Sequence, residues 1–91
     1  MATAKKLLST AEGLSLVQKL MDAAFNRPRD LRSDAYKLGV REILKCKAMG
    51  VKFYCPHKMG TAEADAFYSG SDEGNRIWRE HVESEAGHGN G

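Results

Sequence analysis

Cys55-Pro56-His57 is where a thiol and an imidazole stand closest together in this chain. On an extended backbone, residues two apart project to the same side, so the pair could ligate a metal or act as nucleophile and base. A zinc ion would need further ligands, and the available ones are Cys46, His81 and His88. Their spacing forms neither a Cys-x-x-Cys nor a His-x-x-x-His pair, so no metal and no cofactor is expected. No third group is recognisable as an orienter of the imidazole. Glycine-rich phosphate loops, His-Glu-x-x-His and Gly-x-Ser-x-Gly are also absent, so the chain does not read as an enzyme.

A second set of residues points to a different chemistry. Lys37, Arg41 and Lys45 recur every four positions, which makes a cationic stripe along a helix, and Lys47, Lys52 and Lys58 continue it with Phe53 and Tyr54 interleaved. Cations for phosphates and rings for bases are the ingredients of RNA binding. The plainer reading is a solvated helix face. The charge distribution bears on the choice. Residues 27–58 hold nine Lys or Arg against three acids, a local balance of +6, whereas residues 59–91 hold two against seven, a balance of −5. Pairing between these halves would offset the charge available to RNA. A third possibility is a protein-binding patch built from Tyr54, Met59, Tyr68 and Trp78, although the same side chains could equally form the core.

The elements that must position these residues read as helices. Ninety-one residues, 42% of them hydrophobic and 29% charged, suit one ordinary globular domain spanning 1–91, with residues 1–8 and 85–91 expected to fray. No apolar run approaches the ~18 residues that span a bilayer, and no secretory signal is visible. The expectation is a cytoplasmic protein with no membrane partner and with Cys46 and Cys55 as free thiols. Ser9 with Glu12 has capping-box spacing and opens a first helix, whose apolar face holds Leu14, Val17, Met21 and Ala24 flanked by Leu16 and Leu20. Pro28 closes it.

Ser33 caps a second helix that places Tyr36, Gly39, Val40, Ile43 and Leu44 on one arc and ends at Gly50. Residues 51–57 read as a short extended connection. Thr61 then caps a third helix in which Phe67, Gly70, Gly74, Ile77, Trp78 and His81 share a side. Glycine inside a helix costs roughly 1 kcal/mol against alanine, so Gly70 and Gly74 call for a compensating contact. A helix-crossing notch opposite Gly39 supplies one; the alternatives are a kink or a ligand-facing groove. The fold expected is all-α: an amphipathic N-terminal helix on a glycine-packed helical hairpin with a short extended connection.

Tyr36-x-x-Gly39, the basic stretch, Cys55-Pro56-His57, then Gly70, Gly74 and Trp78-Arg79-Glu80 together resemble the ribosome modulation factor family over residues 33–80. Those are small two-helix bacterial proteins with a Gly-Tyr-x-x-Gly start, a Cys-Pro-aromatic connection and a Gly-Gly-Trp-Arg-Glu end. The resemblance implies helices packed through glycines, Tyr36 and Trp78 in or near the seam, and binding to ribosomal RNA that leaves ribosomes inactive or dimerised. Residues 33–80 are also similar to small phage and prophage proteins sharing "GTAEADAF" and "DEG…IW". That likeness implies an alternative function, a phage-encoded inhibitor of a host protein or defence complex.

Overall fold

A computed structural model describes residues 8–26 and 32–89. Three helices account for most of them: α1 (Thr10–Phe25), α2 (Asp34–Met49) and α3 (Ala62–Gly89). Each start is fixed locally. Ser9 Oγ accepts from the Glu12 N–H at 3.2 Å, and the Glu12 carboxylate accepts from the Ser9 N–H at 3.3 Å, a reciprocal cap that satisfies two otherwise orphaned donors. Ser33 Oγ accepts from the Tyr36 N–H, and Thr61 Oγ1 from the Ala64 N–H, each at 3.2 Å. Gly50 ends α2 in the left-handed region (φ 76°), and its N–H donates to the Cys46 carbonyl at 2.8 Å. At the other end of the connection Gly60 also has a positive φ, 87°, and turns the chain into α3.

α1 and α2 run antiparallel, with Gly13 against Met49 at one end and Phe25 against the ring edge of Tyr36 at the other. Val17 and Met21 of α1 interlock with Val40, Leu44 and Ala48 of α2 to form the main core, with Ile77 and Trp78 of α3 packed against it. Leu14, placed on the apolar face by the sequence, is instead 48% exposed. Gly13, Val17 and Met21 follow one another at four-residue steps and take the seam, which turns Leu14 one position round the helix and out.

α2 and α3 pair through their glycines. A β-carbon on Gly39 would collide with the Phe67 carbonyl, and one on Gly70 with the Tyr36 carbonyl, so backbone lies against backbone in both directions. Gly74 faces the Ile43 side chain and the Val40 backbone. The partners advance together along both chains: Tyr36 meets Gly70, Val40 and Ile43 meet Gly74, and Lys47 stands beside Trp78. The two helices therefore cross with the same sense, joined by a long return rather than the tight turn of an antiparallel pair. Residues 50–61 can span roughly 40 Å when extended, ample to run back past a 16-residue helix of about 24 Å.

The Leu8 N–H donates to the Ala48 carbonyl at 3.0 Å and its side chain joins the core, while α3 continues through residues 85–89. Residues 1–7, 27–31 and 90–91, including the expected helix stop at Pro28, lie outside the described residues. At 28 residues α3 is about 42 Å long and sets the molecule's greatest extent, 43 Å.

Candidate nucleic-acid interface

The return segment has two faces. Phe53 stacks on fully buried Phe67 with ring centres 5.4 Å apart and planes 25° apart, and His57 meets the same ring edge-on at 6.0 Å. Cys55 lies between them, its Sγ accepting from the His57 N–H at 3.4 Å. These three point inward and are half-buried; Lys52, Tyr54, Pro56 and Lys58 alternate with them and are exposed. That is the two-residue period of extended backbone, here imposed by one buried ring. Residues 51–56 make no backbone hydrogen bond among the described residues.

This geometry divides the sequence-derived RNA-binding set. Tyr54 is 69% exposed and free to stack, whereas Phe53 is not: its ring is committed to Phe67. The cations of α2 also separate. Lys37 lies 5.8 Å from the Phe25 ring centre and, with Arg41, lines the cleft between α1 and α2 beside Asp22. Lys45 is half-buried and paired with Glu42 at 3.4 Å. Lys47 does not continue that stripe. It follows Lys45 by two residues, about 200° on the helical period, and so faces Trp78 and Val82 of α3.

Much of the charge on α3 is handled within the helix. Arg76 bridges Glu73 and Glu80, the Glu80 contact at 2.7 Å. The Arg76 hydrogen bond holds the Glu73 carboxyl below its ordinary range, with the charges of Arg76 and Arg32 adding to the effect against the cost of partial burial. The same pairing raises Arg76 above its own ordinary value. The pairs Lys45–Glu42, Arg76–Glu73 and Arg76–Glu80 each join residues one helical turn apart. Arg41, Lys47, Lys52 and Lys58 have no ion-pair partner among the described residues, so the acidic half does not neutralise them by direct contact.

Tyr36 and Trp78 are half-buried. Tyr36 carries the Arg32 guanidinium 4.6 Å from its ring centre, and Trp78 lies 5.5 Å from His81. Trp78, His81 and Val82 also border a cleft of about 230 Å³ whose other wall is Leu8 and Leu16. Cys46 and Cys55 are free thiols, and no three His, Cys, Asp or Glu side chains converge among the described residues; the side chain of His88 lies outside them. Among the described residues no helix is long and apolar enough to cross a membrane. Comparison with protein-family models, curated proteins and solved structures returns no match.

Sequence reasoning passed over Gly13 and Ser71. Ser71 is buried in the α2–α3 crossing, where its hydroxyl donates to the Tyr68 carbonyl at 2.8 Å. The run Gly70, Ser71, Gly74 is a signal that could have found it, since serine is small enough to share a close helix crossing.

Proposed function

We propose that this protein is a non-enzymatic RNA-binding module that modulates translation through the ribosome. One observation carries the RNA reading: Lys52, Tyr54 and Lys58 stand exposed on a segment whose alternate residues are pinned to Phe67, and neither lysine is neutralised by a neighbouring acid. Phosphates are recognised by such uncommitted cations, and a held aromatic ring adds stacking with little loss of freedom. The ribosome as target follows from the likeness of residues 33–80 to ribosome modulation factors.

Sedimentation with purified ribosomes tests it. The protein should travel with the ribosomal fractions at low salt and leave them as salt rises. If it stays at the top of the gradient at low salt, the reading fails. A second reading, a phage-encoded inhibitor that captures a host protein, is favoured by the apolar cleft beside Trp78 and Val82. An interface seated there would lose little affinity with added salt.

A further inference from the structure

The outward row of the return segment has a composition that discriminates between forms of RNA. Lys52, Tyr54 and Pro56 project to one side at intervals of roughly 7 Å, because alternate residues of extended backbone rise about 3.3 Å each, and Lys58 stands exposed just past the bend at His57. Tyr54 is the one aromatic side chain of this row and is largely exposed, and both of its neighbours along the inward face are anchored beneath it through Phe53 and the Cys55–His57 contact. The peptide groups of residues 51–56 are without backbone partners among the described residues, which leaves them able to meet the polar edges of bases.

We infer that this row binds single-stranded RNA, with one unstacked base lying on the Tyr54 ring and flanking phosphates on Lys52 and Lys58. The inference rests on the RNA-binding reading above and narrows it. A duplex would use only half of the row: its bases are already stacked on one another, and the deep, narrow major groove of A-form RNA excludes side chains. Lysines alone would then carry the contact, and the ring would add nothing. In a single strand the base faces are free, and any base can stack because each has a π-face.

The test uses the full chain and two labelled probes at one low salt concentration: an oligouridine of about a dozen nucleotides, within the usual reach of such surfaces, and a fully paired RNA duplex of equal length. Fluorescence anisotropy should show the oligouridine bound more tightly. Tyr54→Ala should weaken oligouridine binding by about tenfold, the loss of one stacked base, and leave duplex binding unchanged. Tyr54→Phe, which keeps the ring, should stay within about twofold of the wild type. Because Tyr54 is exposed, the helical circular dichroism of both variants should match the parent. Equal or tighter duplex binding, or an oligouridine affinity indifferent to Tyr54→Ala, overturns the single-strand inference while the RNA-binding reading stands. Binding of neither probe overturns both.

Discussion

Gly39 and Gly70 are reciprocal: each lies where a β-carbon would strike a carbonyl oxygen of the opposite helix. Backbone cannot swing aside as a side chain can, so Gly39→Ala should destabilise the fold by about 3 kcal/mol through overpacking. Gly13 provides the control. The nearest atoms to its β-carbon belong to the Met49 side chain, from Cγ outward, which can turn to another rotamer, and alanine is the better helix former by roughly 1 kcal/mol, so Gly13→Ala should cost less than Gly39→Ala. Urea unfolding of the two variants side by side decides the matter; equal losses would mean that close backbone approach is not what the α2–α3 glycines serve. Arg76 yields a pH prediction of known sign. Because Glu73 titrates below its ordinary 4.5 when folded, its contribution is complete above that value and is lost as pH falls through the lowered one. Exposure screens the pair and keeps the effect small. The melting-temperature deficit of Glu73→Gln at pH 7 should therefore shrink at pH 3, and a deficit that grew on acidification would contradict the pairing.

The return segment matters as much as the helices, because residues 50–61 set the sense in which α3 crosses α2 and display Tyr54. Its hold is the Phe53–Phe67 stack. Phe53→Ala removes that half-buried ring and should cost about 2 kcal/mol, below the loss for a fully buried phenylalanine. It should also speed tryptic cleavage after Lys52 and Lys58, since a loosened segment opens locally more often. Unchanged stability and cleavage would show that the stack does not restrain the chain. Helix starts and the Gly50 stop are legible in the sequence because each is a contact between near neighbours: Ser9 with Glu12, Ser33 with Tyr36, Thr61 with Ala64. The inward turn of Phe53 is not, because period-2 alternation states that two faces exist without stating which one meets Phe67. Nor is the shared direction of α2 and α3, which depends on a return path through space. Lys47 was separable from Lys45 by the helical period alone; grouping by sequence proximity obscured it.

Across the whole molecule, the opposite charge balances of residues 27–58 and 59–91 would suggest that the two halves cancel. The ion pairs argue otherwise, since Arg76 occupies Glu73 and Glu80 within α3 while Lys52 and Lys58 stay uncommitted. Electrostatic attraction to a polyanion is then local to one face, and the small net charge of +2 understates it. Each phosphate neutralised on a single strand contributes roughly −0.7 to the slope of log affinity against log salt, so Lys52 and Lys58 together imply a contribution of about −1.4. Lys52→Gln with Lys58→Gln should flatten the slope by about 1.4 without altering helix content, because both side chains are exposed. Val82→Lys, a change in the Trp78 cleft, should leave that slope nearly untouched. The opposite pattern, a shallow slope indifferent to the lysines and binding abolished by Val82→Lys, would move the functional surface from the return segment to the cleft between α1 and α3 and make a protein the partner.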